Sequence, residues 1–182
     1  MNNKICLWLN YQGCDVKKII VIIILLLGSV KLYETLERMP VMSLVTCSND
    51  SYQGNMPSFI CRFYLYNFKS GKQDIASLNS QTDLTWFMKL PESEQKMELI
   101  TFFVDNGLSV NPRISIGLSP LFLAVYNNDA EMLTFLMSRG VNLKQRNNET
   151  QWNLKTFIKY LSLNNPELDR TEVRLLLKRW LE

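Results

Sequence analysis

Two stretches of this chain repeat one another at a spacing of thirty-three residues, and no other feature restricts the possible fold as tightly. Glu98-Leu99-Ile100-Thr101-Phe102-Phe103-Val104-Asp105-Asn106-Gly107 aligns with Glu131-Met132-Leu133-Thr134-Phe135-Leu136-Met137-Ser138-Arg139-Gly140. Leu99, Phe102 and Phe103 stand at i, i+3 and i+4, as do Met132, Phe135 and Leu136, which predicts an amphipathic helix in each copy. Gly107 and Gly140 fall where a left-handed residue closes such a helix. A unit this short cannot bury its apolar face by itself, so the copies are expected to stack on one another.

Between the two helices stands Gly117-Leu118-Ser119-Pro120-Leu121-Phe122-Leu123-Ala124. Ser119 is expected to N-cap a helix whose first position is Pro120, where a missing N–H costs nothing. Leu121, Ala124 and Val125 then face inward, and Asn127-Asn128-Asp129 turns the chain into the next helix. The order helix, tight turn, helix, glycine, loop resembles the ankyrin repeat, with its Gly-x-Thr-Pro-Leu-His-x-Ala opening. The resemblance is good over residues 114–146 and covers the second half of 81–113. Ser119 replaces the family's threonine and Phe122 its histidine, so apolar packing must take over from that histidine's hydrogen bonds. Glu172-Val173-Arg174-Leu175-Leu176-Leu177 suggests a third, degenerate unit entered through Trp152-Asn153-Leu154, with Asn164-Asn165-Pro166 separating its helices. A weaker echo from Cys61 to Asp74 reads as an N-terminal cap. Phe59, Phe63 and Tyr66 fit a helical core stripe, while Cys61, Phe63 and Leu65 fit a strand equally well; the stop at Lys69-Ser70-Gly71 favours the helix. Residues 31–56 read as irregular. The expected fold class is mainly α: a short ankyrin-repeat stack in residues 81–182, a cap region in 34–80, and an N-terminal apolar helix in 1–33.

That N-terminal segment holds the longest apolar run, Ile19 to Leu27, inside twelve uncharged residues between Lys18 and Lys31. Twelve helical residues rise about 18 Å, short of a hydrocarbon core of about 30 Å. Adding Leu32 and Tyr33 and letting Lys17, Lys18 and Lys31 snorkel makes residues 19–33 a feasible signal anchor. The length also suits a signal peptide, although Gly28-Ser29-Val30 offers no clear cleavage site. Lys4, Lys17 and Lys18 precede the run, while Lys31 and Arg38 follow it, a modest bias that sends the C-terminal bulk across the membrane. Export would carry Cys47 and Cys61 into an oxidising compartment, where they could close a disulfide; the alternative is two unrelated thiols. The expected location is the bacterial inner membrane with a periplasmic C-terminal region, or the periplasm itself after cleavage.

Composition narrows the chemistry. The chain has no histidine, which removes Ser-His-Asp and Cys-His catalysis and histidine zinc sites. It contains neither a Gly-rich phosphate loop nor metal-ligand spacing, so no enzyme, cofactor, metal or small-molecule substrate is expected. Beyond residue 30, 17 basic and 16 acidic groups nearly cancel, which argues against nucleic acid. Arg170, Arg174, Lys178 and Arg179 read as the solvated face of the last helix.

The resemblance implies a protein partner. The family's variable positions correspond here to Ser115, Ile116, Leu118, Tyr126 and Asn127 in the central unit, and to Asn148, Glu149 and Gln151 in the next. A small exported chain with degenerate ankyrin repeats is also similar to bacterial immunity proteins that block lipase or phospholipase effectors of type VI secretion. The other classes implied are an envelope scaffold and a host-directed ankyrin effector.

Overall fold

The computed structural model describes residues 16–49, 54, 56–112 and 117–181, and the described residues are helical, without strands. The chain divides into two compact units, 1–40 and 41–182.

In the first unit, α1 runs from Val16 to Arg38. At 1.5 Å per residue its 23 residues reach about 35 Å, enough to cross a bilayer. One 18-residue window has a mean hydropathy of 2.2, and the apolar side chains from Ile20 to Leu27 are exposed. The helix is longer than the apolar run predicts because Thr35 bonds back to the Lys31 carbonyl (2.8 Å) and Lys31 pairs with Glu34 (3.2 Å). Polar residues therefore extend it by two turns, and the expectation of irregular chain from residue 31 is corrected.

The second unit opens with a further correction: Val41–Ser48 is a helix, α2. It packs along α3 (Ser58–Phe68), and a disulfide joins Cys47 to Cys61, with Cα atoms 5.8 Å apart. The buried face of α3 is Cys61, Tyr64 and Leu65. Phe59 and Phe63, expected in the core, are 67% and 64% exposed. Both sets of residues share helical spacing, and α2 covers only the one that carries the cysteine. Tyr66 turns toward the repeats, its ring 4.4 Å from that of Phe102. Burial, reinforced by the Glu98 carboxylate, raises the Tyr66 phenol pKa above its ordinary value.

From here the chain proceeds as helical hairpins. After α4 (Lys72–Gln81), α5 (Leu84–Met88) packs on α6 (Lys96–Asp105). α7 (Pro120–Asn127) packs on α8 (Ala130–Ser138), and α9 (Leu154–Asn164) is followed by α10 (Thr171–Leu181). α5 and α9 both pack on α7, and α10 packs on α8, so the central hairpin is covered on each side. The core runs through Leu99, Ile100 and Phe103 of α6, Leu121 to Val125 of α7, Leu133 and Leu136 of α8, and Phe157 and Ile158 of α9.

The expected glycine stops are present. Gly107 (φ 106°) and Gly140 (φ 76°) occupy the left-handed region, and Leu108 and Val141 donate back to Phe103 and Leu136 to close the helices. Capping differs from expectation at one site. Ser119 holds the N-cap position of α7, but its hydroxyl makes no cap bond and is buried without a partner. Asp83, Asp129 and Asn153 do cap α5, α8 and α9, accepting from Thr85, Met132 and Thr156.

Neighbouring units are tied by a repeated side-chain clamp. Asn79 donates to the Gly107 carbonyl (3.1 Å) and accepts from Ser109 N–H (3.1 Å). One unit later Asn111 donates to the Gly140 carbonyl (3.1 Å) and accepts from Asn142 N–H (2.7 Å). Each amide thus satisfies two backbone groups of the following loop and fixes the stacking register.

Arg170 is not part of a solvated face. It is 5% exposed and donates from Nη1 to the carbonyls of Val125 (2.8 Å) and Tyr126 (3.4 Å) in the last turn of α7. Burial lowers its pKa from the usual value, yet guanidinium remains a cation at the negative end of the helix. Asn128 (φ 58°) holds the same loop by donating to the Asp169 carbonyl (2.8 Å). Arg170→Met is expected to cost about 1–2 kcal/mol through the lost hydrogen bonds to these carbonyls and a lost charge–dipole contact, although the Val125 carbonyl still accepts from the Asn128 N–H. The check is a lowered urea midpoint at unchanged slope.

Candidate protein-binding surface

The residues that could meet a partner lie on the inner helices α5, α7 and α9 and on the loops that enter them. Asn128 ends α7 in a left-handed conformation, which leaves Tyr126 and Asn127 exposed on its final turn. Leu118, just before the N-cap of α7, is half-buried. Ser115 and Ile116 lie outside the described residues.

The loop entering α9 is built around Asn147. This side chain is buried, and its Oδ1 accepts from the Glu149 N–H (3.0 Å), the Thr150 N–H (2.8 Å) and the Thr150 hydroxyl (3.0 Å). The turn pushes Asn148, Glu149 and Gln151 outward, and all three are exposed. The Glu149 carboxylate lies 3.9 Å from where a Cβ on Gly117 would stand, so the two entry loops are neighbours.

The register of this third opening differs by one residue from the one expected. Gln151 adopts φ 57° and takes the role of Gly117 (φ 87°), while Asn153 caps α9 as the counterpart of Ser119. Trp152 therefore corresponds to Leu118, and Tyr160 to Tyr126. Trp152 and Tyr160 touch, with ring centroids 4.9 Å apart, and Tyr160 is exposed. The sequence signal for this pair is the offset of thirty-four residues from Ser119 to Asn153, which an alignment fixed on glycine passes over.

A groove of about 810 Å³ lies along α5 and the loop that follows α6. Trp86 and Lys89 line it together with Asp83, Asn111 and Pro112. Among the described residues, none of those expected to bind lines this groove. Asn127 instead borders a smaller cleft of about 480 Å³, beside Asp129 and Lys96. Lys96 is buried and pairs with Glu92 at 2.5 Å, which balances its charge within that cleft.

The surface is thus aromatic and amide-rich, with Leu118, Tyr126, Trp152 and Tyr160 on the α7 and α9 side and Trp86 at the α5 groove. Partly exposed tyrosine and tryptophan provide contact area at low entropic cost, as protein-binding surfaces do. A stack of helical hairpins with such a surface is a repeat-type binding module. Residues 84–137 match the family model described as ankyrin repeats (many copies), which spans α5 to α8 and includes the inner helix of the first hairpin. No curated protein and no solved structure matches the chain. Ankyrin repeats indicate a protein–protein interaction module, and the family is generally non-catalytic.

Proposed function

We propose that this protein is a membrane-tethered binding module that captures a protein partner on the aromatic face of α7 and α9. The observation that carries the reading is the register of the third hairpin. It sets Trp152 and Tyr160 in the positions that Leu118 and Tyr126 hold in the second, so two adjacent units repeat one apolar pair. Side chains needed only for stacking would be buried, as Phe122 and Phe157 are. The length and composition of α1 support tethering, and the lysines before it support a C-terminal region carried across the membrane.

The finer reading is toxin immunity, with the module covering the active-site entrance of a lipase or phospholipase effector in the periplasm. It is supported by the combination of a small repeat stack, a membrane-directed helix and a cysteine pair suited to an oxidising compartment. The test is co-purification of the full chain with a lipase-like toxin encoded beside its gene. Leu118→Glu combined with Tyr126→Glu is expected to weaken that complex by about 100-fold or more, with thermal stability retained. Binding that survives the double substitution would remove this face from consideration. Capture of an endogenous envelope enzyme instead of a toxin would favour the scaffold reading.

A further inference from the structure

Phe59 and Phe63 project from α3 on the side away from α2, and Phe68 at the helix end is 55% exposed. Phe59 and Phe63, four residues apart, share this face, and Phe68 borders it, meeting Phe63 edge-to-face at 6.5 Å and Tyr64 at 5.0 Å. Monomeric proteins rarely leave a continuous aromatic patch in water without a use for it. Among the described residues, Tyr66 is the outward aromatic of α3 that meets a ring of the repeats.

We infer that this aromatic face of α3 rests in the interface of the bilayer that α1 crosses. The inference builds on the reading of α1 as a membrane anchor, and covalent reach is what selects lipid as the occupant. Only Met39 and Pro40 separate the end of α1 from α2. Cys47 lies in the second turn of α2 and is bonded to Cys61, two residues before Phe63. Summing two extended residues, most of α2, the disulfide and two residues of α3 puts Phe63 at most about 30 Å from Arg38 along the covalent path. No soluble partner is held at such a distance, whereas an anchored chain keeps the lipid surface at high effective concentration throughout. Phenylalanine on the apolar face of a helix that lies on a bilayer inserts at the boundary between headgroups and acyl chains. The disulfide then has a role beyond stability, because it holds the aromatic helix against the segment that emerges from the membrane.

The test uses the full chain in nanodiscs of phosphatidylcholine and phosphatidylglycerol, with or without bromine on the acyl chains. Tryptophan is introduced as Phe63→Trp, as Ile24→Trp inside α1, and as Leu175→Trp on exposed α10. The emission each adds to the parent protein is compared between the two lipids. Brominated lipid is expected to quench the added emission of both Ile24→Trp and Phe63→Trp by about half, and that of Leu175→Trp by less than about a tenth. Quenching of Ile24→Trp alone overturns the inference and leaves the anchor intact. No quenching at either site removes the anchor reading and this inference with it. Shielding of Phe63→Trp from aqueous acrylamide without bromine quenching means that protein covers the face, which also overturns the inference. Should Phe63→Trp fold poorly, Phe59→Trp on the same face gives the same readout.

Discussion

Phe122→Ala is expected to lower the stability of the repeat region by about 3–5 kcal/mol, a large share of what a domain of this size possesses. Phe122 is fully buried, and its ring meets that of Phe157 edge-to-face at 5.1 Å, across the boundary between the second and third hairpins. Truncation loses the transfer free energy of the ring and opens a cavity that α9 cannot collapse into without leaving α7. It also removes one of the contacts that hold the third hairpin, whose opening departs most from the repeat pattern, beside the packing of α10 on α8 and the Arg170 bonds. Urea unfolding should therefore show a lower midpoint and, if α9 and α10 detach first, a second transition. Phe122→His restores the residue typical of the ankyrin pattern and serves as the comparison. An imidazole there stands three residues from Ser119 on the same helix face, where the buried hydroxyl lacks a partner. That variant is expected to lose less than the alanine variant. A loss below about 1 kcal/mol for Phe122→Ala would show that the ring does not bear the load between hairpins.

What the sequence made legible follows from how local each determinant is. The hairpins from α6 to α8 could be read directly because a helix stripe, a closing glycine and a turn all fall within one repeat. The clamps made by Asn79 and Asn111 were not legible, because each spans about thirty residues and an asparagine near a turn has many local explanations. Arg170 reads in sequence as one more cation on an amphipathic helix. It becomes a buried cap only because the segment after α9 folds back onto the end of α7. α3 shows the limit of periodicity most plainly. The stripe Phe59-Phe63-Tyr66 and the stripe Cys61-Tyr64-Leu65 have similar spacing, and hydrophobicity favours the wrong one. The choice was made by α2, an eight-residue helix too short to announce itself by pattern. On the candidate surface, Leu118 and Tyr126 follow from the central repeat, whereas Trp152 and Tyr160 required the backbone angle of Gln151 to fix the register.

Removing the Cys47–Cys61 bond, by reduction or by a paired Cys47→Ala and Cys61→Ala change, is expected to cost about 3 kcal/mol from the entropy of the loop it closes. The loss should concentrate on α2 and α3, which the bond joins at their buried faces, and hydrogen exchange should accelerate there before it does in α7 or α8. Burial limits the damage, since Leu44, Val45 and Leu65 still pack between the helices. The aromatic contact from Tyr66 to Phe102 still joins α3 to the repeats. Two consequences follow for function. A reduced protein should keep the proposed binding face on α7 and α9, so affinity for a partner captured there should change little while the protein becomes easier to digest near α3. A chain that works in an oxidising compartment should also carry the bond when isolated under conditions that trap free thiols. Recovery of Cys47 and Cys61 fully alkylated would separate the cysteine pair from function and withdraw its support for export. Recovery of the bonded form would support the proposal that α2 and α3 fold in an oxidising compartment beyond a membrane.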